Sequence, residues 1–148
     1  YLISAKLGGA YLISAELERA NLRVADLRGA DLRGTCLDST APIPEISDAE
    51  IIEAGLAIDG DYITGWRTRE SKFVGSQIYE PGQCYTAPYF SVDTQTPCHP
   101  GIYFASLLWL KNEYPLSSES QFVPCRALRS ETVHAGDKWR AKRLWILE

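Results

Sequence analysis

From Leu2 to Leu37 a leucine stands at every fifth position, eight times in succession. Alanine follows three residues after each of the first six, at Ala5, Ala10, Ala15, Ala20, Ala25 and Ala30, before Thr35 breaks the series. Neither regular structure can use this period. In an α-helix, steps of about 100° per residue turn successive leucines by about 140° and scatter them around the axis. On a flat strand an odd period sends alternate leucines to opposite faces. The backbone must therefore turn between repeats. A quarter turn every five residues points every leucine inward and closes a square coil every twenty. Leu2 then stacks under Leu22, Leu7 under Leu27, Leu12 under Leu32 and Leu17 under Leu37, and the small alanine lets the faces approach.

The units Ala20-Asn21-Leu22, Ala25-Asp26-Leu27 and Ala30-Asp31-Leu32 follow the pattern A-[DN]-L-x-x. On these units residues 1–40 resemble the pentapeptide repeat family. The resemblance implies a right-handed quadrilateral β-helix, here of two coils, with leucine and the small residue inside. The first four units carry Tyr1, Lys6, Tyr11 and Glu16 where Asn or Asp is commonest, at a position expected to face outward. One role in that family is mimicry of duplex DNA by a long acidic coil. Here five acidic residues (Glu16, Glu18, Asp26, Asp31, Asp38) meet five basic ones (Lys6, Arg19, Arg23, Arg28, Arg33), so the face is neutral and does not imitate a polyanion. Two coils at the ~4.8 Å strand spacing also make a very short rod.

Ala41-Pro42-Ile43-Pro44 ends the coil, because proline has no amide hydrogen for the ladder. Residues 41–60 read as a linker and a capping helix. Ser47 is the N-cap, Glu50 stands at capping-box spacing, and the helix runs to about Ala54. Such a helix can cover the open end of a coil. Residues 61–148 read as a small α+β domain. Asp59-Gly60-Asp61, Pro81-Gly82, Pro100-Gly101 and Ala135-Gly136-Asp137 mark turns. Between them lie β-rich runs at Tyr62–Arg67, Phe73–Tyr79, Cys84–Phe90, Ile102–Phe104, Phe122–Leu128, Glu131–His134 and Trp139–Leu147. Ser106 to Tyr114 has helical spacing and halts before Pro115. Tyr79-Glu80-Pro81-Gly82-Gln83-Cys84-Tyr85, Cys98-His99-Pro100-Gly101-Ile102-Tyr103-Phe104 and the aromatic helix ending at Tyr114 resemble a domain that follows pentapeptide repeats in bacterial and phage proteins. That resemblance covers residues 62–148 and implies no assigned activity. Tyr103 stands where its box often has histidine.

The chain carries 19 acidic and 15 basic residues, a net charge of −4, so no overall positive field draws it to nucleic acid or anionic lipid. No apolar run approaches the ~20 residues of a membrane helix. Four cysteines, Cys36, Cys84, Cys98 and Cys125, stand 48, 14 and 27 residues apart with no CxxC pair, which predicts thiols in a reducing compartment. A zinc site from Cys84, Cys98, Cys125 and His134 lacks the close ligand pairs such sites use. A nucleophilic pair of Cys98 with His134 carries no local signature. The pattern therefore predicts no metal, no cofactor and no catalytic residue.

Two basic regions remain. Arg126, Arg129, Lys138, Arg140, Lys142 and Arg143, with Trp139 and Trp145 interleaved, form a candidate strip for single-stranded nucleic acid. Strand alternation splits these bases between faces, so they are expected to answer the six carboxylates between Glu45 and Asp61 instead. Trp66, Arg67 and Arg69 form a candidate contact surface of the kind where Trp and Arg are enriched.

The reading is thus a mixed fold, a two-coil right-handed quadrilateral β-helix joined to a small α+β domain. Its expected role is a non-enzymatic structural or protein-interaction module with the coil as a rigid stem, in a bacterial or virion-associated setting, cytoplasmic or carried on a virion. The expected partner is a protein or a second copy meeting the β-helix end, not a membrane or a nucleic acid. Binding residues are expected among Trp66, Arg67, Arg69, Cys98, His99 and Tyr103. The alternative is an enzyme of unknown chemistry with a cleft near Cys98, His99 and Tyr103. The start at Tyr1 and the absence of Met suggest a fragment or a processed chain. Either further repeats cover the first coil or two copies abut end to end, and the duplicated YLISA favours the former.

Overall fold

The computed structural model describes residues 2, 5–17, 25–71, 77–96 and 99–148. Tyr1, the repeat unit holding Asn21 and Leu22, the residues Glu18, Arg19 and Arg23, the run from Phe73 to Ser76, and Cys98 lie outside them.

The units of Leu7, Leu12, Leu27 and Leu32 each close a tight turn from the leucine carbonyl to the amide three residues on. Ala10 donates to Leu7 and Ala15 to Leu12 at 3.0 Å, Ala30 to Leu27 at 3.0 Å, and Thr35 to Leu32 at 3.1 Å. The residue two after leucine takes a positive φ, 72° at Gly9, 69° at Gly29 and 73° at Gly34, as a left-handed turn position requires. Ser14 takes the same conformation, with φ 54°, without glycine's freedom. The turns bring residues twenty apart side by side in parallel, Lys6 beside Asp26 and Tyr11 beside Asp31. The Leu7 amide donates to Asp26 O at 2.8 Å, and the Leu12 amide donates to Asp31 O at 2.9 Å.

The described leucines gather in one cluster, with Leu17, Leu27 and Leu37 buried and Leu2, Leu7, Leu12 and Leu32 half-buried against them. Lys6, Tyr11 and Glu16 face solvent as expected. Asp26 and Asp31 occupy the same place in their units, each held by the arginine two residues on. Hydrogen bonds from the Arg28 guanidinium hold the Asp26 carboxyl down at about 2.

After the repeats comes α1 (Asp48–Glu53). Ser47 accepts the Glu50 amide while the Glu50 carboxylate accepts the Ser47 amide, the capping box that the sequence announces. The strands are β1 (Ala57–Asp59), β2 (Tyr62–Thr68), β3 (Glu70–Ser71), β4 (Gln77–Ile78), β5 (Cys84–Thr86) and β6 (Ile102–Phe104). Then follow α2 (Leu107–Glu113), β7 (Phe122–Leu128), β8 (Thr132–Ala135), β9 (Lys138–Ala141) and β10 (Arg143–Ile146). Among the described residues they build an antiparallel sheet β1-β2-β7-β10-β5, a second antiparallel sheet β6-β9-β8, and the hairpin β3-β4.

Four expected runs differ, and in the run Phe73–Tyr79 the described residues are strand only at Gln77–Ile78. The run Cys84–Phe90 is a strand only to Thr86. Ala87 still donates to Lys142 O at 2.8 Å, but Pro88 has no amide hydrogen with which to continue. Glu131 belongs to a single 3₁₀ turn before β8. The run Trp139–Leu147 is two strands in two sheets, for the chain crosses between them at Lys142.

The sheets meet where Trp66 and Ala105 exchange backbone hydrogen bonds of 2.8 and 2.9 Å. Gly65 permits this approach, because a Cβ there would lie 2.7 Å from Leu56 Cδ2 and 2.9 Å from Ala105 O. The core between the sheets includes Ile63, Phe104, Cys125, Trp139, Leu144 and Ile146, and α1 drops Ile51 into it. Tyr89 and Val92 pack on the leucine cluster from outside the repeats, and the Val92 amide donates to Cys36 O at 2.9 Å.

Candidate functional site

The C-terminal end of α1 and the first turn of α2 face each other across a trough. One hollow of about 530 Å³ runs past Trp66 and Thr64, and a second of about 460 Å³ runs past Trp109 and His134. Glu53, Ala54, Ser106 and Leu108 line both. The Ser106 hydroxyl accepts the Trp109 amide at 3.1 Å and so starts α2. That start leaves Leu108 70% exposed in the trough. Trp109 Nε1 donates to Asp137 at 3.1 Å. His134 stacks on Trp139 with ring centroids 4.1 Å apart and places Nδ1 3.2 Å from Glu50 Oε2. This contact and the Ser47 amide hold the Glu50 carboxyl below its usual range. Ser106 caps α2 and His134 meets Glu50 through Nδ1, and among the described residues no hydrogen bond joins the Ser106 hydroxyl to the His134 ring.

A second polar group is buried where the repeats meet the rest of the chain. Ser91 Oγ lies 2.7 Å from His99 Nδ1, Asp93 Oδ2 lies 3.7 Å from that nitrogen, and Cys36 Sγ lies 3.8 Å from it. A catalytic triad sets nucleophile and carboxylate on opposite imidazole nitrogens, whereas here all three approach one. Arg140 is fully buried and donates to the carbonyls of Ser91 and Asp93 at 2.8 Å and of Thr96 at 2.6 Å. Its Nε reaches the Tyr103 hydroxyl, which in turn donates to His99 O. Gly101 leaves room for this side chain, since a Cβ would stand 2.3 Å from Arg140 Cγ. The group is a tie between loop and strand.

The candidate binding residues thus fall into three places. Trp66 is half-buried and lines the trough. Arg67 points to the opposite face of β2, 7% exposed, with its guanidinium 3.5 Å from the Tyr79 ring centroid. Burial lowers its pKa, and its Nη1 has no hydrogen-bond partner. Arg69 is exposed and pairs with Glu80 at 3.1 Å. His99 and Tyr103 come together in the buried tie, and Cys98 lies outside the described residues. Cys84 is an exposed thiol, while burial pushes the Cys125 thiol up to about 12. Among the described residues no three His, Cys, Asp or Glu side chains are grouped to hold a metal ion. Nor is any helix there long and apolar enough to cross a membrane.

The basic strip is dispersed. Arg140 is buried, Arg143 pairs with Glu131, and Arg129 reaches Asp48 and the Ile46 carbonyl, an answer to the acidic segment. Trp109, Leu108, Glu53 and Asp137 were not among the candidate site residues, and His134 entered only as a possible zinc ligand or base beside Cys98, not as a wall of this trough. They are scattered from 53 to 137, and only the two helix caps hinted at their scaffold.

Residues 2–40 match the family described as pentapeptide repeats, in eight copies. Repeats of this family imply a β-helix-type fold, and the strands and helices that follow have a small α+β character. No curated protein and no solved structure matches the chain. The resemblance of residues 62–148 to a domain of bacterial and phage proteins therefore finds no support.

Proposed function

We propose that the chain is a non-enzymatic structural and protein-interaction module. The repeats form a two-coil right-handed quadrilateral β-helix that serves as a rigid stem, residues 41–60 link it, and the α+β domain over 61–148 is what it carries. The observation that carries this reading is the buried tie. The polar side chains that a catalytic account would use, Ser91, Asp93, His99 and Arg140, are buried and spent on fastening the loop beside Cys36 to β9. A stem must be fastened in this way, whereas an enzyme needs an open site. The partner is a protein, met at the trough beside Trp66 or at the β-helix end. The exposed Cys84 thiol fits a reducing compartment in a bacterial or virion-associated setting.

The test is urea unfolding followed by two probes. All four tryptophans lie outside the repeats, so their fluorescence reports the sheets, and amide exchange at Leu7, Leu12 and Asp31 reports the repeats. A rigid stem gives coincident transitions. Repeats that open well before the sheets overturn the reading.

A further inference from the structure

We infer that the trough between α1 and α2 binds a cationic, leucine- or isoleucine-bearing segment of a partner protein, with a lysine or arginine of that segment on Glu53 and its aliphatic side chain against Leu108 and Trp66. The inference rests on the interaction-module reading and names the partner's chemistry. Charge complementarity selects the occupant. Among the described residues the two hollows are lined by the carboxylates of Glu50, Glu53 and Asp137 and by no lysine or arginine. Glu50 is committed to Ser47 and His134, and Asp137 to Trp109. Glu53 is exposed, lines both hollows, and among the described residues its carboxylate makes neither an ion pair nor a hydrogen bond.

The apolar half of the match is as specific. Leu108 is 70% exposed at the wall the two hollows share, so its side chain is open to a partner there. Trp66 and Trp109 stand on either side, amphipathic surfaces of the kind that anchor protein contacts. Lys138 lies with Nζ 5.6 Å from the Trp109 ring centroid and lines neither hollow, and among the described residues no ion pair joins it to Glu53.

The probe is a short capped peptide of lysine, leucine and glycine, titrated by calorimetry and tryptophan fluorescence. Its glutamate-for-lysine counterpart and a linear glucose oligosaccharide are titrated alongside. The lysine peptide is expected to bind, with affinity that falls as salt rises. Glu53→Gln should weaken it about threefold and Glu53→Lys about tenfold, in keeping with exposed ion pairs and added like-charge repulsion. Leu108→Ser should weaken it about fivefold. Among the described residues Glu53 has no ion-pair or hydrogen-bond partner to lose, so Glu53→Gln should melt with the parent, which separates binding from folding.

Equal binding of the acidic peptide, tighter binding of the oligosaccharide, or an affinity indifferent to Glu53→Gln would overturn the inference. So would the absence of binding by all three probes. Any of these results with coincident unfolding transitions rejects this partner chemistry and leaves the stem standing. Separate transitions reject the stem itself.

Discussion

The repeats and the sheets that follow are held together by opposite kinds of contact. In the repeats the decisive interactions recur at fixed intervals, three residues for the turn, two for the Asp–Arg pair and twenty for the parallel ladder. In the sheets they join residues far apart in the chain. Arg140 ties down the carbonyls of Ser91, Asp93 and Thr96, and Gly65 makes room for Ala105. A periodic region spreads its stability over equivalent units, as solenoids do, so no single polar side chain there is indispensable. The sheets concentrate theirs in buried polar groups whose removal orphans several partners at once.

The sharpest test of this contrast is Arg140→Leu. It strands three carbonyls in a buried loop and should cost about 3 to 5 kcal/mol, the scale for breaking a buried charged network. Urea denaturation at neutral pH measures it. A loss under about 1 kcal/mol would mean that the tie carries little.

Leu27→Ala probes the same question in the repeats. Leu27 is 1% exposed within a narrow cluster, so the cavity should cost about 2 to 4 kcal/mol. The equivalent change at half-buried Leu32 should cost clearly less. Equal losses by thermal melting would remove the case for a layered interior.

A smaller effect of opposite sign is expected at Ser14. Among the described residues three of the four repeat turn positions at positive φ carry glycine, and Ser14 holds φ 54° with a side chain. Ser14→Gly should stabilise by about 0.5 to 1 kcal/mol, strain relief outweighing the added chain entropy. A destabilised variant would show that the Ser14 hydroxyl is needed, and would count against equivalence among the units.

The smallest effect is electrostatic. Asp26 has its carboxyl depressed in the folded state from 3.8 to about 2, so its contribution is present above the ordinary value and lost as pH falls through about 2. The melting temperature of Asp26→Asn should therefore lie slightly below that of the parent at pH 6 and converge on it between pH 4 and pH 2. A gap that persists at low pH would assign the effect to packing. Since both Asp26 and Arg28 face water, the shift should also fade in high salt.

The period of five, the inward position of the described leucines, the small residue closing the turns and the outward Lys6 and Tyr11 were legible in the repeats, because the turns and the ladder that set them join residues three and twenty apart. The two helix starts were legible for the same reason, a cap and its amide being three residues apart. Between 84 and 147 the runs were legible as strands but their lengths were not. Pro88 acts locally, yet the crossing at Lys142 is visible only when Ala141 is seen beside Ile102 and Arg143 beside Thr86.

The candidate site was least legible of all. Trp66-Arg67-Thr68-Arg69 looks like one surface in sequence, but a strand turns neighbours to opposite faces, and burial on one side of β2 sends Arg67 to Tyr79 while Trp66 reaches the trough. Arg140 reads as a solvated base in a basic strip and becomes the most buried cation of the described residues. The sequence alone determined the repeats, since a fixed period places the same turn and ladder partners three and twenty residues away in unit after unit. Which polar groups were buried and which helix ends framed a trough was decided by tertiary structure, because burial depends on what the far parts of the chain bring to each face.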